Sequence, residues 1–395
     1  MKEEKGSSPG IHFGHLKCID PASEAAEVIS KLALLPLKTG YALIQWRKGI
    51  NTMIPKKAHD LRHEKLRLIL LMDARFNHNN KMIGRKMMEY GEDNNLFAEE
   101  QYGSRKAKSA ILHAINKRLV TDHLRQYRKP AMYCANDAKS CYDRILHIVA
   151  YCTMRIHGIS KNAAKCSMDT ISRMKHHIRT SFGDSKTYYG GEKWTEKGGK
   201  KPHGNGQGNG DGPAKWTAIS SPLLTILKEE GYGIRFVSPI EGEEIAMSAF
   251  GFVDDMDYIQ TAEDGETEQD LLHKTQRGMN LWESLLRTTG GAIVVEPGKT
   301  DWVNIAFEDK KGILQLKPPQ GNNNLTIRNT DGNTVHIEQL HVDKARKTLG
   351  VFQTITGNEN PEVQYLLGKV KKWKENVQKS NLGHEDSRCA VSFLS

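Results

Sequence analysis

Asp137 and the pair Asp254-Asp255 are the carboxylates whose placement could do chemistry. Asp137 closes the run Tyr133-Cys134-Ala135-Asn136-Asp137, and Asp254-Asp255 follows Ser248, Phe250 and Phe252, which alternate as strand residues do. Carboxylates gathered at one edge repel each other unless a cation sits between them. Hard oxygen ligands of this kind suit magnesium, which takes one or two carboxylates plus substrate phosphates. Two such ions about 3.5–4 Å apart clamp the attacking and leaving oxygens of an in-line phosphoryl transfer. An Asp-Asp pair alone is more often a polar turn than a catalytic site, so the surrounding elements must carry the argument.

From Pro130 onward the pattern predicts those elements. A strand over Pro130–Asp137 leads to a helix over Arg144–His157 with Ile145, Ile148, Val149 and Cys152 on its apolar stripe. A hairpin over Ala246–Thr261 turns at Asp254-Asp255-Met256-Asp257. Thr267, with Asp270 three residues on, caps a helix ended by Gly290-Gly291, and strands fit Ala292–Val295 and Asp301–Phe307. This is the β-α-β-β-α-β order of a split βαβ, or ferredoxin-like, sheet, an α+β fold in which the three carboxylates converge at one sheet edge.

Upstream, Ser23 caps a helix starting near Pro21, and Lys65–Met72 reads as a buried strand. Residues 80–128 read as helical, with Ala107, Ile111, Ala114, Ile115 and Leu119 as the apolar face and basic residues on the other. Phe182–Pro213 is dense in glycine, holds Lys193, Lys197, Lys200 and Lys201, and lacks the aliphatics to offset ordering, so it reads as a mobile loop or hairpin. Ile219–Leu227 reads as a helix. Pro361–Lys379 fits a basic amphipathic helix with Leu366, Leu367, Val370, Trp373 and Val377 on one face.

The 395 residues carry a net charge of +10, which favours a polyanionic partner. Six scattered cysteines, none as C-x-x-C, fit reduced thiols and not a secreted disulfide scaffold. Met1-Lys2-Glu3-Glu4-Lys5 has no apolar core for a signal peptide, and Leu66–Met72 falls far short of a membrane span. The expectation is a soluble intracellular protein with no membrane partner, in nucleus or cytoplasm. His176-His177 lacks zinc-ligand spacing, and no Ser-His-Asp set is legible.

Several motifs in one order resemble the reverse transcriptase family, nearest to its non-LTR retrotransposon and group II intron types. Asp137-Ala138-Lys139-Ser140-Cys141-Tyr142-Asp143 resembles the first palm motif, which implies metal binding by Asp137 and the Ala138 carbonyl and a deoxynucleotide-selecting aromatic at Tyr142. Gly204-Asn205-Gly206-Gln207-Gly208 is similar to the Gln-Gly motif, and Phe252-Val253-Asp254-Asp255 stands where the family has Tyr-Ala-Asp-Asp. Pro297-Gly298-Lys299-Thr300 resembles the motif whose lysine protonates departing pyrophosphate. Leu349-Gly350-Val351 looks like the primer-grip turn. In the fingers, Arg67-Leu68-Ile69-Leu70-Leu71 and Ile54-Pro55-Lys56-Lys57 imply triphosphate contacts for Arg67 and Lys56. Gln101-Tyr102-Gly103-Ser104-Arg105 implies that Gln101, Gly103 and Arg105 lie along the template, with Gly208 beside them.

The resemblance spans about Trp46 to Val351 and implies a polymerase right hand. Residues 1–45 are then an N-terminal helical lead and 46–129 mixed α/β fingers. Residues 130–357 are the palm, with the Gly/Lys-rich loop 183–213, and 358–395 the start of a thumb or a tail, leaving the thumb incomplete or absent. It implies an RNA-directed DNA polymerase of retroelement origin, using two Mg2+ ions, or Mn2+ in their place, with an RNA template, a DNA or RNA primer and deoxynucleotides. Oligomeric state is open. The second motif departs from the family: Asn209-Gly210-Asp211-Gly212 stands in place of Ser-Pro-Leu, and Asp211 brings negative charge toward template or nucleotide. The alternative is a catalytically inactive relic that binds nucleic acid; a third reading, a group II intron maturase, needs a further C-terminal domain.

Overall fold

The computed structural model describes residues 12–56, 60–139, 141–200, 202–238, 240–319, 324–380, 383 and 385–386. Lys57, Ser140, Lys201, the first eleven residues and the final segment from Cys389 lie outside that set. The fold is α+β. Chain order runs α1 (Phe13–Cys18), α2 (Glu24–Thr39), β1 (Lys48–Pro55), β2 (Leu66–Leu71), α3 (Ala74–Asp93), α4 (Ala110–Gln126) and β3 (Ala131–Asp137). Then come α5 (Cys141–Arg144), α6 (His147–Ile156), α7 (Lys161–Ser172), β4 (Lys175–Thr180), β5 (Gly183–Asp184), β6 (Tyr189–Gly190), α8 (Glu192–Glu196) and α9 (Gly212–Glu229). The second half holds β7 (Ile234–Val237), β8 (Glu244–Met247), β9 (Ala249–Phe252), β10 (Asp255–Thr261), α10 (Glu268–Thr288) and β11 (Asp301–Ile305). Short hairpins follow before the last long helix, α11 (Asn360–Lys379).

The central sheet is ordered β11-β3-β10-β9, with the two-residue strand Glu338–Gln339 outside β11. Every pairing among those four is antiparallel. Counting the four in chain order gives 4-1-3-2, the split βαβ arrangement that the element pattern predicts.

Because side chains alternate across a strand, the sheet has two distinct faces. Met132, Cys134, Met256, Tyr258 and Trp302 turn to one core, which α10 covers with Leu271, Met279, Trp282 and Leu286. Thr267 and Asp270 make the reciprocal capping box that starts α10. Tyr133, Ala135, Ile259, Val303 and Ile305 turn to a second core with Val120 and Leu124 of α4 and Leu340, Val342 and Ile355. Burying each large aliphatic side chain stabilises by ~1.5–3 kcal/mol, so both faces of β3 are tied down. A second sheet, β2-β1-β4-β5 with β6 also on β4, forms from the β1–β2 hairpin and from β4 parallel to β1.

Five local expectations need correction. Residues 80–128 are not one helical run: α3 ends at Asp93 and α4 begins at Ala110, and Ala107 between them has φ 59°. The turn of the 246–261 hairpin is Val253-Asp254, and Asp255 already belongs to β10. Ala292–Val295 is no strand; Ile293 makes one isolated bridge to Ala138. The segment read as a mobile loop holds β5, β6 and α8, and its 204–211 stretch is packed against β2 and α3. In α4 most of the expected apolar face is turned outward: Ala114 is buried as expected, but Ile111, Ile115 and Leu119 are 68, 48 and 61 % exposed, while His113, Lys117 and Leu124 are buried. Lys117 faces a buried carboxylate on the sheet, and that pairing outweighs the apolar periodicity in orienting the helix.

Candidate active site

The rungs of the central sheet fix the site. Asp137, the last residue of β3, is directly opposite Asp255, the first of β10. Two residues further along, Asp257, Ala135 and Asp301 form one rung across β10, β3 and β11. That spacing places the second rung roughly 6.7 Å below the first, on the same face.

Asp254 sits on the turn before Asp255, and its carbonyl accepts from the Ala138 N–H (3.3 Å). Val253 has φ 57°, a left-handed conformation that a β-branched residue seldom adopts. Its surroundings hold it there. Gln101 Oε1 accepts from Val253 N (3.1 Å) and Gly103 N (2.8 Å), and Gln101 Nε2 donates to Ser220 Oγ (2.8 Å). Trp216 Nε1 donates to the Val253 carbonyl. A Cβ on Gly103 would lie 2.3 Å from Val253 N, so only glycine permits this approach. Gln101 is 1 % exposed. Gln101 and Gly103, expected along a template, are therefore a buttress beneath the Asp254 turn. Arg105 pairs with Glu92 (2.8 Å) and donates to the Ala98 and Gln101 carbonyls, which fixes the buttress in turn.

Lys299 reaches the cluster from the 296–299 turn, its Nζ on Asp137 Oδ2 at 2.5 Å. Burial alone would lower its pKa, but the Asp137 bond and the charges of Asp137, Asp255 and Asp254 raise it. Burial, then Asp254, Asp257 and Asp137, push the Asp255 carboxyl up to about 6, against Arg346. Burial and Asp137 likewise raise Asp254, opposed by Lys299 and Arg67.

Arg67 on β2 thus lies within electrostatic reach of Asp254. Lys65 at the tip of the β1–β2 hairpin pairs with Glu296 (3.6 Å), tying that hairpin to the Lys299 turn. Lys56 begins the loop at the same tip, exposed, its N–H donating to the Lys65 carbonyl (3.1 Å). Burial, Cys141 and Asp254 raise the Tyr142 phenol, which is half-buried beside the cluster.

Gln207 N donates to Asp143 Oδ1 (2.9 Å) and its carbonyl accepts from Leu70 N (2.7 Å), so the Gln-Gly loop joins the first motif to β2. Gly208, at φ +122°, brings its Cα against the Leu70 carbonyl, where a Cβ would clash at 2.4 Å. Asp211 is a correction. It is fully buried and paired with Lys215 (2.7 Å), itself fully buried, with Asn205 bridging both. The glycine turns fold the loop inward, and no charge from Asp211 is presented to solvent.

Leu349 and Gly350, at φ 51° and 93°, form the turn of a hairpin between Arg346–Thr348 and Val351–Gln353. That hairpin reaches the site through a residue missed in the sequence. Arg346 Nη1 pairs with Asp257 Oδ1 (3.0 Å), its Nε with Asp301 Oδ1 (3.2 Å), and its Nη2 donates to the Lys299 carbonyl (3.2 Å). Lys117 holds the other Asp257 oxygen (2.8 Å). Asp257, two residues past Asp255 on a strand, was the available signal; Lys117 and Arg346 carried none.

Among the described residues no three His, Cys, Asp or Glu side chains stand close enough to hold one ion between them. A magnesium ion needs only one or two carboxylates, and the mutual repulsion that raises Asp254 and Asp255 is the field a divalent cation would neutralise. The residues fit that group. Among the described residues no helix is long and apolar enough to cross a membrane. No family model matches the chain, and no curated protein matches it.

Proposed function

We propose that the chain is an RNA-directed DNA polymerase of the reverse-transcriptase type, with the split βαβ sheet as the palm of a right hand and the β1–β2 sheet within its fingers. The observation that carries this reading is the facing of Asp137 and Asp255 across two central strands, with Asp254 on the adjoining turn. It places three carboxylates at one sheet edge, supplied by elements far apart in sequence.

In this reading Asp137, Asp254, Asp255 and the Ala138 carbonyl would share the metal ions, one or two carboxylates to each. Two magnesium ions, when bound, supply charge neutralisation at the α-phosphate and a more acidic primer 3′-hydroxyl. The chain's own groups do the rest. Arg67 and Lys56 pair with the triphosphate of a deoxynucleotide, and Tyr142 and Gln207 border its sugar. Lys299, kept protonated by the neighbouring carboxylates, would give a proton to departing pyrophosphate. The Leu349-Gly350 hairpin holds the primer end. A basic chain favours the RNA template and primer as partners.

Primer extension on an RNA template with magnesium and deoxynucleotides tests this, comparing the wild type with Asp254→Asn. Extension by the wild type alone is the expected result. No extension by either, with salt-sensitive primer-template binding by both, replaces the reading with a nucleic-acid-binding relic.

A further inference from the structure

The second rung holds two carboxylates that the proposed chemistry does not use. Asp257 and Asp301 are 2 and 1 % exposed, and they flank Ala135, whose methyl leaves room above it. Arg346 bridges the two, its planar guanidinium reaching both carboxylates and the Lys299 carbonyl. A lysine point charge could not make all three contacts at once. Lys117 closes the network from α4, so the buried acids are compensated from two sides.

Charges buried this deeply are costly, and an apolar set of the same volume is often as stable. Stability alone therefore does not account for the network. Its connectivity is specific. Asp257 is on the strand of Asp255, Asp301 follows the Lys299 turn by two residues, and Arg346 starts the hairpin of Leu349 and Gly350.

We propose that Arg346 is a positioning residue that couples the 346–353 hairpin to the carboxylate cluster, so that a cation held by one or two of Asp137, Asp254 and Asp255 orders the hairpin and the Lys299 turn together. The idea rests on the metal-site reading above. Charge neutralised in the first rung strengthens the claim of Arg346 on the second, and the hairpin follows the strand ends as one body. Two sites joined this way share a coupling free energy that either can report.

The test is amide hydrogen exchange on the full chain with and without manganese(II), needing no nucleic acid and no turnover. In the wild type, manganese should slow exchange at 254–257 and, by about fivefold or more, at 346–353. Arg346→Gln should keep the first response and lose the second, and Arg346→Lys should behave like it. Should Arg346→Gln not fold, Asp301→Asn removes one leg of the contact while keeping its shape, and should weaken the hairpin response alone. A wild-type hairpin that ignores manganese while 254–257 responds overturns the proposal. So does a hairpin response that survives in Arg346→Gln. Manganese felt at neither segment removes the metal-site reading itself, and the proposal with it.

Discussion

Asp137 and Asp255 stand directly opposite each other on adjacent antiparallel strands, carboxylate facing carboxylate. Like charges in that position destabilise a sheet by a few tenths to ~1 kcal/mol. Lys299 pairs directly with Asp137, whereas Asp255 draws only on the more distant charges of Arg346 and Lys299. Asp255→Asn should therefore raise the metal-free melting temperature by ~1–2 °C while abolishing primer extension. Asp137→Asn should raise it less, since it also removes the Lys299 pair. Calorimetry in chelator on the two variants decides this; a lowered melting temperature for Asp255→Asn would mean the carboxylates are not in mutual repulsion.

The same repulsion sets a pH dependence. Asp255, and Asp254 with it, titrate higher folded than unfolded. The folded state then binds more protons over that interval, so the favourable contribution of Asp255 is complete below about pH 4 and is lost as pH rises through about 6. Metal binding needs the deprotonated form and should show the opposite trend, with extension rising through pH about 6. Urea midpoints from pH 4 to 7, wild type against Asp255→Asn, should differ in slope in that window. Parallel curves would remove the assignment to Asp255.

Gln101 makes three buried side-chain hydrogen bonds, accepting from Val253 N at the Asp254 turn and from Gly103 N in its own loop, and donating to Ser220 Oγ. Gln101→Ala leaves those donors unsatisfied, at a cost of ~1–3 kcal/mol, and frees Val253 from its left-handed conformation. The expected outcome is at least a tenfold loss in kcat with primer-template affinity within about threefold of wild type, because the residue holds the carboxylates and does not touch the template. A pure loss of template affinity at unchanged kcat would restore the template-contact role.

What the sequence discloses and what it conceals follow one physical division. Periodic apolar runs, caps and glycine stops depend on neighbours within a few residues, so β2, β3 and α10 are read with small boundary errors. The three carboxylates are legible because strand order alone brings them to one edge. Hidden features depend on partners far away in the chain. β1 and β4 are neighbours across more than a hundred residues, and neither bears a strong alternation. Lys117 looks like a solvated helix residue until Asp257 is placed above it. Gln101 resembles a ligand contact until Val253 is seen to need one.

The Asp211–Lys215 pair offers a test of how the departing second motif is accommodated. Both side chains are fully buried and share Asn205. Lys215→Met strands a buried carboxylate and should cost ~3–5 kcal/mol. Asp211→Leu combined with Lys215→Met removes both charges and should recover most of that loss. Denaturant unfolding of the single and double variants measures it; equal stability of Lys215→Met and wild type would mean the pair is open to water.

The outward-turned face of α4 gives the most direct check on the fold. Ile111, Ile115 and Leu119 form a stripe that periodicity alone would bury, yet they point to solvent. Leu124 is fully buried in the second core, and Lys117 is locked to Asp257. A helix rotated to bury the stripe would expose Lys117 and leave Asp257 uncompensated beneath the carboxylate rung. Ile115→Lys and Leu119→Lys should each change stability by no more than ~0.5 kcal/mol. Leu124→Ala should cost ~2–5 kcal/mol. Chemical denaturation of the three variants separates the two orientations: a large loss at Ile115 or Leu119 with a small one at Leu124 would reverse the helix and dissolve the Lys117–Asp257–Arg346 network.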